Sequence, residues 1–256
     1  MKNISGNIRA VVVDLDRTLL CTEKVISDHT ISVIQKCCAA GVRFIVATAR
    51  PMYSAEPLVK DKFPVSGYIA MNGAVVIYDG EKMYHGISDR TAEAILEQVI
   101  ELKNVEIFTE TATGCYGNAD SPFATLYKDF PKIPASPVLK ILVSGTDGNL
   151  YQKVSDILPS STYATATHDN LIQIMDYTAT KWNGIEYVLQ QYGISADETV
   201  YFGDDNDDIE PIQKCGIGIA MSNAIDEVKT VANDITLSND EDGVAVWLER
   251  FILGRN

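Results

Sequence analysis

The sequence predicts an α/β protein whose parallel-sheet core is interrupted by an inserted α+β domain. Short apolar runs alternate with helical segments before residue 84 and again after residue 179, which is the β-α-β pattern of a parallel sheet. Between them, strand-like segments of alternating polarity accompany two helical segments, which is typical of an α+β unit. We therefore expect a discontinuous, Rossmann-like core of residues 1–83 and 179–256, and an inserted domain of residues 84–178.

The first core strand is an unbroken apolar run, residues 11–13, that leads directly into Asp14 and Asp16. Such a run suits a strand buried on both faces. Because side chains alternate along a strand, both carboxylates project to one side, at the sheet edge where α/β proteins bind ligands. Two carboxylates about 4 Å apart repel by roughly 4 kcal/mol at an effective dielectric of about 20. A cation between them or a proton on one of them relieves this; a solvated turn is the alternative.

The remaining elements follow from capping residues, turn residues and apolar periodicity. Ser27 can cap a helix that ends before Gly41, and Pro51 can stand in the first turn of the next helix. Asn72-Gly73 forms a turn after a third strand. Further core strands are predicted at 42–50, 67–71, 198–204 and 216–221, with helices at 184–192, 224–231 and the C-terminus. In the insert, helices are predicted at 89–102 and 150–158, and strands at 105–110, 115–119, 138–144, 162–167 and 171–176.

Composition excludes some partners. The formal net charge of −14 argues against a surface for the nucleic-acid backbone, which needs a basic footprint. It is compatible with a small phosphorylated substrate, because one lysine and a metal ion can reverse the local field. No apolar run approaches the length of a membrane span and the N-terminal stretch has no signal core, so we expect a soluble, cytoplasmic protein. The five cysteines are odd in number and lack metal-ligand spacing, which favours reduced thiols.

Groups suited to phosphoryl chemistry follow the ends of several predicted elements. Asp14 and Asp16 end one strand, Thr48 another, the acidic run 203–208 a third, and Lys181 begins a helix. Oxygen-only ligands suit Mg²⁺. A carboxylate, a hydroxyl and a lysine provide a nucleophile, a hydrogen-bond donor and a positive charge, and an aspartate can accept a phosphoryl group covalently. Each residue alone has an ordinary structural explanation, but their joint placement favours a site.

These residues resemble the motifs of the haloacid dehalogenase-like hydrolases, and the α+β insert between the second and third motifs resembles the C2-type cap of the Cof-type branch. The resemblance implies that Asp14 is the nucleophile and Asp16 the general acid/base, with Thr48 and Lys181 holding the phosphoryl group. It implies Mg²⁺ bound by Asp14, the backbone carbonyl of Asp16, and Asp204, with Asp208 in support. It also places Ala49, Asn72 and Asp207 among the phosphate-binding residues. The motifs are Asp14-Leu15-Asp16-Arg17-Thr18, Thr48, Lys181, Gly203-Asp204-x-x-Asp207-Asp208, Met71-Asn72-Gly73-Ala74, Ala220-Met221-Ser222-Asn223-Ala224 and Asp242-Gly243-Val244-Ala245.

The function implied is that of a Mg²⁺-dependent phosphatase that hydrolyses small phosphate monoesters, above all sugar phosphates, through a phosphoaspartate intermediate. The implied partner is a small phosphorylated metabolite, and the inserted domain is expected to cover the strand ends and read that substrate. Alternatives are a phosphosugar mutase on the same fold and a catalytically weak protein that binds a phosphorylated ligand. A receiver-type signalling domain is disfavoured by the first-strand position of Asp14 and by the insert. The sequence identifies neither the substrate nor the oligomeric state.

Several positions depart from the family's usual pattern. Arg17, Ala49, Trp182 and Ser222 each stand where glycine is usual. The most consequential departure is Asp207, where asparagine is usual, because an added carboxylate near the phosphoryl site repels the substrate. On that hypothesis Asp207→Asn improves catalysis. The opposing hypothesis is that Asp207 binds the metal or holds Lys181 in place.

Overall fold

The computed structural model describes residues 8–166 and 171–255, and within them the chain divides into two compact units. The first unit takes in the described residues up to Met83 and those from Thr180 onward; the second is Tyr84–Ala179. Each unit has its own hydrophobic core. The last residue of the strand expected at 162–167, and the N-terminal stretch 1–7, lie outside the described residues.

An eight-stranded sheet forms the centre of the first unit, in the order β14-β13-β12-β1-β2-β3-β4-β5. The pairs from β14 to β3 are parallel, and β4 runs antiparallel to β3. The expected α/β class with a parallel core sheet is therefore confirmed. Numbered along the whole chain, its strands are β1 (Ala10–Val13), β2 (Arg43–Ala47), β3 (Gly67–Ala70), β4 (Val75–Tyr78), β5 (Glu81–Tyr84), β12 (Thr199–Gly203), β13 (Ile217–Ala220) and β14 (Asp234–Ile235).

Helices flank this sheet. The C-terminal helix packs as its spacing predicts, with the ring of Trp247 5.4 Å from that of Phe202 on β12. Pro51 is the N-cap residue of the second helix rather than part of its first turn. The helical segment predicted over 184–192 extends three residues further toward its N-terminus and begins at Lys181, the residue predicted at the start of a helix. The helices are α1 (Asp28–Ala39), α2 (Met52–Val59), α5 (Lys181–Gln191), α6 (Ile209–Lys214), α7 (Asp226–Val231) and α8 (Gly243–Phe251).

The second unit is a six-stranded sheet in the order β10-β11-β9-β6-β7-β8, with two helices. Its strand pairs are antiparallel except for β7 with β8. Alternate apolar residues of the sheet, such as Ile107, Val143 and Ile174, share one core with Ile95 and Leu96 of α3. The elements are α3 (Asp89–Ile100), β6 (Val105–Thr111), β7 (Cys115–Gly117), β8 (Thr125–Leu126), β9 (Val138–Gly145), α4 (Leu150–Ile157), β10 (Thr162–Ala166) and β11 (Ile172–Asp176).

Among the described residues, no helix is both long enough and apolar enough to cross a bilayer.

Candidate active site

Asp14 is fixed at the carboxyl end of the central strand. The ladder between β1 and β12 continues one residue past β1, because the Asp14 N–H donates to the Phe202 carbonyl at 3.0 Å. The chain then folds back, with Leu19 N–H donating to the Asp14 carbonyl at 3.2 Å and Leu20 N–H to that of Leu15 at 2.8 Å. Asp14 is buried. Its carboxylate therefore has a set direction before any ligand binds.

Asp208 shapes the turn that follows β12. Its Oδ2 accepts from the backbone N–H groups of Asp204 at 2.8 Å and Asp205 at 3.0 Å, and its Oδ1 accepts from the Tyr201 hydroxyl at 2.5 Å. Gly203 is required here, since a Cβ at that position would lie 2.4 Å from Asp208 Cγ. The turn thereby brings Asp204 and Asp208 to the same edge of the sheet as Asp14.

The carboxylates of Asp14, Asp204 and Asp208 form one buried cluster, with an oxygen of each lying within 4.8 Å of the others. Burial, and next the charge of Asp208, raise the pKa of Asp204 to about 7, although the Thr18 hydroxyl donates to it at 2.8 Å. Burial likewise raises the pKa of Asp14 well above its usual value. Such a cluster holds a proton or a cation, and its oxygen-only donors fit Mg²⁺.

Lys181 is the first residue of α5, is almost fully buried and lies against the carboxylate cluster. Its Nζ contacts Asp14 Oδ1 at 2.8 Å, Asp208 Oδ1 at 2.7 Å and Asp207 Oδ2 at 3.1 Å. Burial acts to lower the pKa of Lys181, but these carboxylates outweigh burial and raise it well above the usual value. The lysine is thus a fixed positive charge beside Asp14, the predicted nucleophile.

Thr48 and Asn72 form a second group at the ends of β2 and β3. Thr48 N–H donates to the Ile69 carbonyl at 2.7 Å, and the Thr48 carbonyl accepts from Asn72 N–H at 3.0 Å. The Thr48 hydroxyl accepts from Arg50 N–H at 3.1 Å, which leaves its own proton for a ligand. The next residue, Ala49, is half-buried.

Asn72 itself shows signs of a ligand-binding position. It has a left-handed backbone, with φ of 56°, and is buried. Its Oδ1 has no hydrogen-bond partner within the described chain, and an unsatisfied buried acceptor costs about 1–3 kcal/mol. Gly73 follows with φ of 97°, and a Cβ there would lie 2.1 Å from the carbonyl oxygen of Thr180. This close approach places the turn directly beside the residue that precedes Lys181.

The Asp16 side chain contacts two basic residues rather than the acidic cluster. Arg50 donates to it from Nε at 2.6 Å and Nη2 at 2.8 Å, and Lys24 Nζ donates at 2.7 Å. Partial burial acts to raise the pKa of Asp16, but these bonds outweigh it and lower the pKa. The side chain is therefore a carboxylate at neutral pH. Its backbone carbonyl as a metal ligand stays a prediction.

The structure brings together most of the side chains singled out from the sequence: Asp14, Lys181, Asp204, Asp207 and Asp208 at one point, and Thr48 with Asn72 at the neighbouring strand ends. Asp207 lies outside the three-carboxylate cluster and against Lys181, with its side chain a quarter exposed. Sequence reasoning assigned no role to Thr18, Lys24 or Tyr201. Thr18 is the last residue of the motif that begins at Asp14, so the sequence offered a signal for it. Nothing in the sequence distinguishes Tyr201 from an ordinary core tyrosine.

Comparison with known families supports this picture. Residues 11–248 match the family described as haloacid dehalogenase-like hydrolase. The chain therefore belongs to that family, as its motifs indicated, and is a hydrolase by family.

Individual relatives are similar over nearly their full length. The 5-amino-6-(5-phospho-D-ribitylamino)uracil phosphatase YitU of Bacillus subtilis is 26% identical over 263 residues, covering 94% of this chain and 96% of its own. The structure of the phosphatase BT1666 from Bacteroides thetaiotaomicron superposes with a TM-score of 0.87 at 24% identity, covering 98% and 97% of the two chains. That of the subclass IIB sugar phosphatase BT4131 gives 0.82 at 23%, covering 95% and 98%. The structural likenesses establish the fold.

Asp207→Asn tests what the additional carboxylate does. If Lys181 holds a phosphoryl group, Asp207 would compete with that group for it, because both are negative and Asp207 Oδ2 lies 3.1 Å from Lys181 Nζ. We expect the substitution to raise kcat/KM by up to about tenfold, or about 1.4 kcal/mol of transition-state stabilisation. Steady-state kinetics across a Mg²⁺ titration give the measurement. A slower variant with a higher Mg²⁺ requirement would show instead that Asp207 supports Lys181 or the metal.

Proposed function

We propose that this enzyme, a phosphatase by its family and relatives, hydrolyses small phosphate monoesters with Mg²⁺ through a phosphoaspartate on Asp14. One observation carries the proposal: Asp14 is buried, its backbone is fixed by hydrogen bonds, and its carboxylate contacts Lys181 and belongs to one cluster with Asp204 and Asp208. A nucleophile flanked by a fixed cation and by a cation-binding cluster suits attack on a phosphorus atom that carries negative oxygens.

In the first half of the reaction, a carboxylate oxygen of Asp14 attacks phosphorus, and the bond from phosphorus to the ester oxygen breaks. Lys181 and the Thr48 hydroxyl hold the non-bridging oxygens in position for this attack. Asp16 gives a proton to the leaving oxygen, which requires that it be protonated and released from Arg50. Mg²⁺, held by Asp14 and Asp204 with Asp208 in support, supplies neutralising charge to the phosphoryl group.

In the second half, Asp16 accepts a proton from water, whose oxygen attacks phosphorus and displaces Asp14. The lowered pKa keeps Asp16 a carboxylate at neutral pH, which is the form that can take up a proton, and it also makes that carboxylate a weaker base. The ion pair with Arg50 therefore has to loosen in both steps. Inorganic phosphate and the restored Asp14 carboxylate are the products.

The proposed substrates are phosphate esters of sugars or related polyols. Two relatives support this class: YitU is named for a phosphoribitylamino compound, and BT4131 is described as a sugar phosphatase. We assign recognition of the organic part of the substrate to the second unit, Tyr84–Ala179, as the cap of this fold. Substitutions there are then expected to change which ester is preferred.

A phosphate-release screen tests the function. The purified protein is incubated with a panel of phosphorylated sugars, polyols, nucleotides and an aryl phosphate, each with Mg²⁺ and with EDTA. We expect turnover of one or more sugar or polyol phosphates, abolished by EDTA and restored by excess Mg²⁺. Full activity in chelator would contradict the metal assignment. Absence of phosphate release from every ester would favour the alternative of a protein that only binds a phosphorylated ligand.

A further inference from the structure

Arg17 holds an uncommon backbone conformation next to the acidic cluster. Its φ is 60°, in the left-handed region that glycine adopts freely and other residues adopt at a cost. Two reciprocal hydrogen bonds fix it there. Asn223 Nδ2 donates to the Arg17 carbonyl at 2.8 Å, and Arg17 Nη2 donates to the Asn223 carbonyl at 3.0 Å. The side chain is therefore anchored even though 48% of it is exposed.

This anchoring aims the guanidinium at Asp204. Arg17 Nε lies 3.6 Å from Asp204 Oδ2, while the other oxygen, Oδ1, accepts from the Thr18 hydroxyl at 2.8 Å. In the part of the chain that the structure describes, no group donates a hydrogen bond to Asp204 Oδ2, and the Arg17 guanidinium is the positive group beside it. Oδ2 is therefore the Asp204 oxygen suited to a cation. A permanent positive charge stands at that oxygen, because an arginine side chain does not lose its proton in proteins.

We propose that Arg17 is a positioning residue that weakens the binding of a divalent cation by the cluster of Asp14, Asp204 and Asp208. Its charge offsets the repulsion among the buried carboxylates when no metal is bound, and it repels an ion that enters the cluster. The consequence is a site that stays ordered without metal and exchanges Mg²⁺ readily. This inference rests on the proposed Mg²⁺ site and adds to it a residue that sets its affinity.

Titration calorimetry of Mg²⁺ into the metal-free protein tests the proposal. Arg17→Gln removes the charge and keeps a polar, though shorter, side chain, and we expect its Kd for Mg²⁺ to be about tenfold lower than that of the wild type. Arg17→Lys keeps a charge and is expected to stay near the wild type. Arg17→Asn, whose side chain tolerates left-handed backbone, repeats the loss of charge should Arg17→Gln fold poorly.

The unfolding temperature gives a second measurement that does not depend on turnover. Without metal, Arg17→Gln is expected to unfold at a lower temperature than the wild type, since its carboxylates lose an offsetting charge. With saturating Mg²⁺ the rise in unfolding temperature is expected to be larger than in the wild type, because tighter binding stabilises the folded state more.

Arg9→Gln is the matched control. Arg9 also pairs with one carboxylate, Glu198 at 3.2 Å, and also donates to one carbonyl, that of Gly193 at 2.8 Å, but away from the cluster. Its Kd for Mg²⁺ is expected to equal that of the wild type. An unchanged or higher Kd in Arg17→Gln, or an equal decrease in Arg9→Gln, would overturn the role of Arg17. A wild-type protein that binds no Mg²⁺ would instead overturn the metal site itself.

Discussion

Asp14→Asn is expected to reduce turnover to background while leaving the fold intact. Asparagine has the same shape, but it lacks the charge and the second oxygen with which Asp14 attacks phosphorus. The backbone bonds that hold residue 14, from its N–H to Phe202 and from Leu19 to its carbonyl, do not involve the side chain. Phosphate release under saturating Mg²⁺ gives the activity, and circular dichroism with thermal unfolding gives the fold.

Asp207→Asn is the matched control for this experiment. It is the same chemical change, and like Asp14 its carboxylate contacts Lys181, at 3.1 Å against 2.8 Å. We expect it to keep or improve activity, so that loss in Asp14→Asn cannot be ascribed to disturbing Lys181. If Asp14→Asn retained more than a few per cent of wild-type turnover, the covalent mechanism would be wrong.

Lys181→Met is expected to abolish activity and to destabilise the protein by about 3–5 kcal/mol, the usual cost of removing one partner from a buried ion pair. Methionine fills the space but leaves the carboxylates of Asp14, Asp207 and Asp208 facing one another. For a chain of this size the unfolding midpoint should fall by about 10 °C. Differential scanning calorimetry without metal gives the measurement.

The pH dependence of Lys181→Met separates charge from packing. Burial already raises the pKa values of Asp14 and Asp207, and loss of the lysine raises them further, so the folded state binds more protons than the unfolded state. Stability lost at neutral pH is therefore expected to return as pH falls. Lys214→Met is the control, because Lys214 contacts Glu210 at 2.7 Å on the surface, where such pairs contribute about 0–1 kcal/mol. Equal losses in the two variants, or a loss independent of pH, would contradict the role given to Lys181.

The sequence could predict the parts of the site that depend on local order. Asp14, Thr48 and Asp204 each directly follow an apolar strand, and parallel strands end at one edge of the sheet, so strand order alone brings them together. The helical segment predicted over 184–192 begins earlier, at Lys181, because Thr180 caps the helix by accepting from Asn183 N–H at 3.1 Å. The family resemblance, rather than periodicity, assigned the chemical roles.

Contacts that depend on tertiary packing could not be predicted in this way. The Tyr201 hydroxyl reaches Asp208 from inside the sheet, and Lys24 and Arg50 reach Asp16 from separate loops. The strands β4 and β5 were missed because they are short and follow a turn, and their pairing sets the edge of the sheet. No helix was predicted at α6, which is only six residues long and contains Pro211, although proline is tolerated in the first turn of a helix.

Direct observation of a phosphoryl group on Asp14 tests the central claim most closely. Acetyl phosphate is a suitable donor in an Asp16→Asn variant, because its leaving group needs no proton and the water step then lacks its base. After acid quenching and proteolysis, mass spectrometry should find one added phosphoryl group on the peptide that contains Asp14. The double variant Asp14→Asn/Asp16→Asn should lack this group. A phosphoryl group on another residue, or none while the variant still consumes acetyl phosphate, would contradict the account.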